Sequence, residues 1–246
     1  MSVVQTGRKF FGWRCYVADS NTELIPSVDE LLGFIEKFPK VLKDDRRSLV
    51  KLGEINGVQL VAKQPRDKNK RRWARALTLF GAGEARKTFT TLLEFENKGI
   101  ESLTPFCLLE KRKLGMVVDS WLLYNYREGR ESDKTCLAQI IGLLKKLHSN
   151  GYQHGDPNFG NFLVSPNGDI FLIDCKGKSR SGRFSDYYDF MLLGRGKLTV
   201  QEIEAAVAMD KKSFSYRLAK LYQAYIGFRS SYKKKVGRKR SKSDHL

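Results

Sequence analysis

The sequence predicts an α+β fold: a small antiparallel sheet with one helix, followed by a mostly helical second half. In the first half, strand-like runs at residues 48–55 and 57–63 meet at Asn56-Gly57, and an Asn-Gly pair between such runs is a strong hairpin signal. Residues 84–97 carry their apolar side chains at helical spacing. In the second half, helical spacing dominates and the strand-like runs become short.

The elements of the first half follow in a simple order. A capping box formed by Ser27 and Glu30 opens a short helix. The hairpin comes next, then the helix at residues 84–97, and then two further strands at residues 106–110 and 115–126. The order strand, strand, helix, strand, strand predicts an antiparallel sheet with a helix packed on it.

The second half begins with a helix whose apolar residues run from Leu137 to Leu147 and which Gly151 ends. Residues 154–174 then hold two short strand-like pieces. We predict an N-terminal lobe at residues 1–126 and a C-terminal lobe at residues 127–246. Three more helices are predicted after residue 174, at about residues 186–193, 199–209 and 214–228.

The chain of 246 residues has 45 Lys and Arg against 27 Asp and Glu, which gives a net charge of +18. Hydrophobic residues make up 41%, enough for a core, so disorder throughout is excluded. No apolar run is long enough for a membrane span, and the start of the chain lacks the apolar core of a secretion signal. Four dispersed cysteines fit a reducing cytoplasm better than a disulfide scaffold.

The positive charge indicates an anionic partner: nucleic acid, a membrane surface or a phosphorylated ligand. Two stretches concentrate it, a cluster from Arg66 to Arg75 and a basic tail from about residue 233, dense from Lys233 to Lys242. Each stretch has an ordinary alternative as a solvated face or a frayed terminus.

One segment carries the chemistry. His154-Gly155-Asp156 is followed by Asn161, and Asp174 comes after a predicted strand. Mg²⁺ prefers oxygen ligands and keeps several waters, so one amide oxygen and one carboxylate can hold it beside phosphates. Asp156 is then left to orient and deprotonate an attacking hydroxyl.

This segment resembles the catalytic loop and metal-binding segment of the protein-kinase-like superfamily, in its HGDxxxxN form. Residues 154–164 with 173–179 resemble the lipopolysaccharide core heptose kinases, in particular the heptose(II) kinase (RfaY/WaaY) type. Leu123 to Gly129 resembles the hinge that holds adenine in these enzymes, which places Tyr124 and Tyr126 beside the nucleotide. The resemblance implies a two-lobed kinase fold that uses ATP and Mg²⁺.

Residue by residue, the resemblance implies that Asp156 is the catalytic base and that Asn161 and Asp174 bind Mg²⁺. It implies that Lys63, in Val-Ala-Lys, contacts the nucleotide phosphates. The ordinary alternative for Lys63 is an edge-strand lysine that blocks aggregation.

The resemblance also implies that a helix glutamate pairs with Lys63. Glu84 is the favoured partner, and Glu94 and Glu96 are alternatives. Other polar residues near the loop have structural interpretations. We expect His154 to brace the loop, and we expect Asp186 and Asp189 to stabilise the loop and its helix.

The chain departs from protein kinases in several ways. It has no GxGxxG between the first two strands, Gly155 replaces the arginine of the HRD motif, and Asp174 is followed by Cys-Lys-Gly. No APE motif follows. Regulation by activation-loop phosphorylation and a peptide substrate are therefore disfavoured.

The favoured function is phosphoryl transfer from ATP to a heptose hydroxyl of the lipid-linked lipopolysaccharide inner core. This implies a cytoplasmic enzyme, peripheral on the inner face of the inner membrane of a Gram-negative bacterium and attracted there by its basic clusters. Two alternatives stay open. One is a RIO-like atypical Ser/Thr kinase associated with RNA, which keeps nucleic acid as a partner. The other is a non-catalytic kinase-like module that binds membrane or nucleic acid.

Overall fold

The chain divides into two compact units in the computed structural model. One unit comprises Met1–Arg130 with Val164–Ile173, and the other comprises Glu131–Leu163 with Asp174–Leu246. The lobe boundary after residue 126 stays a prediction. The structure describes residues 3–10, 12–18, 21, 24–67, 72–175, 177–194 and 198–243, and it describes side chains from residue 12 to residue 229 apart from the gaps and residues 72 and 200.

The first unit is built on a seven-stranded antiparallel sheet with the strand order β1-β2-β6-β7-β5-β4-β3. Four of its strands were predicted, and their bounds agree to within a few residues. The strands are β1 Val3–Phe10, β2 Trp13–Ala18, β3 Lys40–Asp44, β4 Leu49–Ile55, β5 Val58–Gln64, β6 Pro105–Lys113 and β7 Met116–Asn125.

Helices cover both faces of this sheet. Helix α1, Val28–Lys37, packs Leu31 and Ile35 against one face, and the predicted capping box at its start is confirmed. Helix α3, Glu84–Asn97, packs Phe89 and Leu93 against the other face. Its bounds match the prediction. A short helix α2, Arg72–Leu77, precedes it.

The predicted hairpin turn is present between β4 and β5. Asn56 and Gly57 both have positive φ, 51° and 79°, as a tight hairpin turn requires. Close by, a side-chain ring takes the space beside Gly53: an added Cβ would lie 2.3 Å from Cδ1 of Phe38. Phe38, at the end of α1, therefore rests directly on the strand that leads into the turn.

The second unit is mostly helical, as predicted. Tyr152–Gln153 (β9) and Lys178–Ser179 (β12) pair as a short antiparallel ladder. Two short strands lie where the chain passes from one unit to the other, Arg130–Glu131 (β8) and Phe162–Val164 (β10), and a third, Ile170–Leu172 (β11), belongs to the first unit. The helices are α4 Leu137–Ser149, α5 Arg183–Leu193, α6 Val200–Val207 and α7 Phe214–Ser243.

The last two helices differ in how well they were predicted. The capping box at Thr199 and Glu202 is confirmed. Helix α7 was predicted to end near residue 228 but continues to Ser243, so the backbone of the basic tail is helical. Within the described part of the chain, no helix is long and apolar enough to span a bilayer.

Candidate active site

Lys63 lies on an interior strand of the sheet. It pairs with Val50 of β4 on one side and Leu122 of β7 on the other, so the edge-strand alternative is wrong. Directly paired residues point to the same sheet face, and Leu122 belongs to the cluster that contains Phe89 of α3. The register therefore places Lys63, which is half-buried, on the face that α3 covers.

The three glutamates considered as partners of Lys63 differ in exposure. Glu84 is the first residue of α3 and is exposed, with its carbonyl accepting the Thr88 hydroxyl at 3.1 Å. Glu94 is exposed as well, whereas Glu96 is half-buried. The identity of the partner stays a prediction.

A buried carboxylate on the same sheet face was not predicted. Glu110 of β6 is fully buried. The Arg112 Nε donates to its Oε1 at 2.7 Å, whereas no described residue supplies a hydrogen bond to its Oε2. Oε2 faces Gly83, just before α3, where an added Cβ would lie 3.2 Å away. A glutamate within an apolar strand gives no periodic signal, so the sequence offered no way to single it out.

Arg112 also ties the segment before α3 to the sheet. Its guanidinium donates to the carbonyls of Thr78 at 3.1 Å, Gly115 at 2.7 Å and Gly81 at 3.3 Å. These contacts, with the Glu110 pair, satisfy most of the donors of a single arginine. The approach to α3 is thereby fixed from within the first unit.

The predicted adenine segment begins at the end of β7. Tyr124 is half-buried and packs against the cluster beneath α3. Tyr126 is 37% exposed, and its backbone N–H donates to the Gln59 carbonyl at 2.9 Å. The segment is thus anchored through its backbone to β5, the strand that carries Lys63.

In the second unit, a buried carboxylate holds the HGD loop by its backbone. Asp189 of α5 is fully buried. It accepts the backbone N–H of His154 at 2.7 Å and that of Gly155 at 2.9 Å. Gly155 has φ +80°, a conformation that favours glycine, which explains why no arginine stands there. The predicted stabilising role of Asp189 is confirmed.

The same carboxylate joins a wider network beneath the loop. His148 of α4 donates from Nε2 to Asp189 at 3.0 Å, and its Nδ1 lies 3.5 Å from Asp186. Asp186 in turn accepts two hydrogen bonds from Arg180, both at 2.6 Å. These contacts link α4 and α5 and the segment after the loop, so Asp186 stabilises its own helix as predicted, and its contacts reach Arg180 and His148.

The loop presents Asp156 outward. Asp156 is exposed, while Pro157 and Phe159 beside it are buried. The Asn161 Nδ2 donates to the Asp156 carbonyl at 2.8 Å, and Asn158 donates to the same carbonyl at 3.3 Å. Two asparagine side chains therefore fix the Asp156 carbonyl, while Asp156 itself is exposed to solvent.

The donor set of this unit suits a hard cation that is shared with phosphates. Among the described residues, no group of three His, Cys, Asp or Glu side chains could hold a metal. Asn161 uses its amide nitrogen as a donor, so its Oδ1 is the atom that could ligate. Asp174 is exposed and offers a carboxylate. Two such oxygens with waters and phosphates fit Mg²⁺ rather than a metal enclosed by protein.

The His154 side chain is unsuited to proton transfer. Its ring is fully buried against Phe162, and neither ring nitrogen has a hydrogen-bond partner among the described residues. Burial lowers the pKa of His154 to about 4, despite the opposing effect of Asp189. The ring is therefore neutral at pH 7 and fills space below the loop, in line with the predicted bracing role.

A groove of about 590 Å³ lies elsewhere in the second unit. It is formed by residues of the turn before α4, of α4 itself and of α6. Neither the HGD loop nor Asp174 contributes to it. Its lining residues are Lys134, Thr135, Leu137, Ala138, Ile141, Gly142, Lys145 and Ala206.

Comparison with known proteins identifies the family. A family model described as "Lipopolysaccharide core biosynthesis protein (WaaY)" matches residues 4–200. The chain belongs to the WaaY family. The lipopolysaccharide core heptose(II) kinase WaaY of Escherichia coli K12 is 25% identical over 175 residues, which cover 68% of this chain and 75% of that protein. A second Escherichia coli WaaY heptose(II) kinase is 28% identical over 182 residues, covering 71% and 78%.

A solved structure supports the fold of this WaaY-family chain. The structure of WaaP in complex with acyl carrier protein superimposes with a TM-score of 0.55 and covers 92% of this chain and 98% of that one. The sequence identity is 14%, so the likeness concerns the fold alone. The protein-kinase-like α+β fold predicted from the sequence is confirmed.

Proposed function

We propose that this WaaY-family chain transfers the γ-phosphoryl group of ATP to a heptose hydroxyl of the lipopolysaccharide inner core. The two Escherichia coli relatives are named as heptose(II) kinases of this core. The single observation that carries the proposal is the anchoring of the HGD loop: Asp189 holds the loop by two backbone N–H groups, and Asp156 is exposed at its tip.

Asp156 is the proposed catalytic base. Its carboxylate orients the sugar hydroxyl and accepts its proton as that oxygen attacks the γ-phosphorus, while the bond from the γ-phosphorus to the β–γ bridging oxygen breaks and ADP leaves. A fixed backbone helps because proximity and orientation supply much of the rate in phosphoryl transfer. The hydrogen bond from Asn161 to the Asp156 carbonyl contributes to that rigidity.

Lys63 is the proposed contact of the nucleotide's α and β phosphates. Its ammonium neutralises phosphate charge, and its place on an interior strand limits its movement. We propose Glu84 as its ion-pair partner, with Glu94 and Glu96 as the alternatives. Tyr124 and Tyr126 are proposed to line the adenine site, where flat aromatic side chains can pack on a purine.

Asn161 and Asp174 are the proposed Mg²⁺ ligands. The bound ion would neutralise charge on the transferring phosphoryl group. The two residues bring different properties. Asn161 is positioned by its bond to Asp156, whereas Asp174 supplies the negative charge that a divalent cation requires.

We further propose that the enzyme meets a lipid-linked acceptor at an anionic membrane surface, on the inner face of the inner membrane. Its net charge of +18 supports this. Each basic residue near such a surface contributes on the order of 1 kcal/mol. Of the two basic clusters, residues 68–71 of the first lie outside the described residues. The second lies on the helical backbone of α7 up to Ser243, without described side chains.

Membership of the WaaY family favours this function over the RIO-like alternative. A non-catalytic module is disfavoured because Lys63, Asp156, Asn161 and Asp174 are all present. The two alternatives make distinct predictions about labelling: a RIO-like kinase would phosphorylate protein, and a non-catalytic module would phosphorylate nothing.

The test is incubation of the full chain with Mg-ATP and dephosphorylated core lipopolysaccharide, read by mass spectrometry. We expect a gain of one phosphate that Asp156→Asn reduces by about 10²-fold or more. Asp169→Asn is the matched control, because Asp169 is also an exposed loop aspartate but lies outside the HGD loop. No phosphate gain with the unchanged protein, or equal activity in Asp156→Asn, would contradict the proposal.

A further inference from the structure

Up to Arg229, where its described side chains end, the long helix α7 packs on one side. Tyr216 and Ala219 are buried, and Gln223 donates to the Met191 carbonyl of α5 at 3.3 Å. The aromatic rings of the two helices also meet, with Tyr222 and Tyr188 having centroids 5.1 Å apart. The residues on this side of α7 are therefore the ones that pack against α5.

The other side of α7 carries an exposed apolar stripe. Its members follow each other at intervals of four, three, four and three residues, so they fall within an arc of about 80° on the helix surface. Large side chains this exposed are individually ordinary, but an aligned row indicates a surface with a function. The stripe consists of Phe214 (77% exposed), Leu218 (39%), Leu221 (68%), Tyr225 (55%) and Phe228 (72%).

The charge around the stripe points to one kind of partner. Arg217 and Lys220 lie on one flank of the stripe, and Arg229 lies on the other. From residue 211 to residue 243 the chain contains lysine and arginine but no aspartate or glutamate. An apolar row of Phe, Leu and Tyr bordered by basic residues matches the interface of an anionic bilayer, where apolar side chains enter the acyl boundary and cations meet phosphate headgroups.

We propose that the stripe Phe214–Phe228 on α7 is a membrane-docking surface that lies in the interface of anionic phospholipid and inserts its apolar side chains. It rests on the proposed function only in taking the acceptor to be lipid-linked. The basic tail alone would give a purely electrostatic attachment, which salt removes. Insertion of the stripe adds a contribution that salt does not remove, since burial of apolar surface is not screened.

The test is cosedimentation of the full chain with vesicles of phosphatidylcholine and phosphatidylglycerol, at low and high salt. We expect the double variant Leu221→Ser, Phe228→Ser to partition at least about tenfold more weakly, most clearly at high salt. Val41→Ser, Leu42→Ser is the control, because these residues are also exposed and apolar, at 53% and 45%, but lie on β3. We expect the control to bind as the unchanged protein does. Equal binding of the stripe variant would overturn the proposal.

A second copy of the chain is the competing occupant, because the same spacing suits helix pairing. Sedimentation velocity separates the two. A dimer that dissociates in the stripe variant, with vesicle binding unchanged, would overturn membrane docking. A monomer that loses vesicle binding in the stripe variant supports it.

Activity on two acceptors separates this proposal from the proposed function. With deacylated core oligosaccharide, which is soluble, we expect the stripe variant to be as active as the unchanged protein. With the lipid-linked acceptor presented in vesicles, we expect its activity to fall about tenfold. Loss of vesicle binding without any kinase activity in either protein would support docking while contradicting the proposed function.

Discussion

The Asp189 carboxylate accepts the backbone N–H of His154 at 2.7 Å, and both residues are completely buried. The contact joins the middle of a helix to the first residue of the loop that presents Asp156. Since Asp189 contacts the backbone of His154 and not its ring, the side chain at position 154 is not needed for this contact. The loop is thus held by the helix, whatever side chain the loop carries there.

Asp189→Asn should therefore affect both stability and activity. An amide offers one acceptor oxygen in place of two, so at least one buried N–H of His154 or Gly155 is left unpaired. We expect a loss of about 2–4 kcal/mol in the free energy of unfolding, measured by urea denaturation. Phosphoryl transfer should fall as the loop loosens.

Asp186→Asn on the same helix is the matched comparison for that variant. Its carboxylate pairs with Arg180 near the surface, where ion pairs contribute at most about 1 kcal/mol. Equal losses in the two variants would show that the buried anchor has no special role.

His154 predicts a pH dependence of stability. Burial lowers its pKa in the folded state to about 4 from an ordinary value near 6.5, so the unfolded chain binds more protons between these pH values. Stability is fully present above pH 6.5 and is lost as the pH falls towards 4, by up to about 3 kcal/mol.

His154→Leu removes this titration while leaving the backbone bond to Asp189 in place. We expect the variant to show a shallower loss of stability between pH 6.5 and pH 4, measured by urea denaturation at several pH values. An unchanged slope would mean that other groups account for the acid sensitivity.

The Glu110–Arg112 pair should behave as a buried ion pair. Arg112→Met leaves a buried carboxylate without its cation and releases the carbonyls of Thr78 and Gly115. We expect a cost of about 3 kcal/mol or more, measured by urea denaturation. The double variant Glu110→Leu, Arg112→Met should recover much of that loss, because no charge is then buried alone. A double variant no more stable than the single one would contradict this account.

Two glycines should respond in opposite directions to alanine. Gly53→Ala forces a methyl group into the ring of Phe38, and we expect a loss of about 1–3 kcal/mol. Gly33, in α1, has open space where its Cβ would be, so Gly33→Ala should gain up to about 1 kcal/mol. Thermal denaturation of both variants measures the two effects, and a midpoint for Gly53→Ala at or above that of the unchanged protein would show that Phe38 yields without cost.

Local signals in the sequence predicted local structure well. The capping boxes at Ser27 and Thr199 and the turn at Asn56-Gly57 each depend on residues within a few positions of one another. The helical spacing of apolar residues in residues 84–97 predicted both ends of α3 correctly. The HGD motif and the resemblance it carried led to the family that the comparison identifies.

Features that depend on distant residues were not predicted. Strand β2 pairs with β6 through contacts such as Trp13 with Lys111, a relationship that no local pattern encodes. The importance of Glu110 depends on its burial and on its contact with Arg112, which only the structure shows. Spacing alone does not distinguish the exposed apolar stripe of α7 from a stripe that is buried in the core. The structure is needed to show which face of the helix packs against another element.

The place of β2 in the sheet has a consequence for how the chain folds as it is made. In the sheet, β2 pairs with β1 on one side and with β6 on the other. Strand β6 is synthesised roughly ninety residues after β2, which takes several seconds at ordinary rates of translation. Until then β2, whose Cys15 and Val17 are fully buried in the finished sheet, can pair only with β1, and its other edge has no strand beside it. The N-terminal strands therefore complete their pairing only after the middle of the chain has been made, and during that interval the open edge of β2 is a surface that a chaperone can bind.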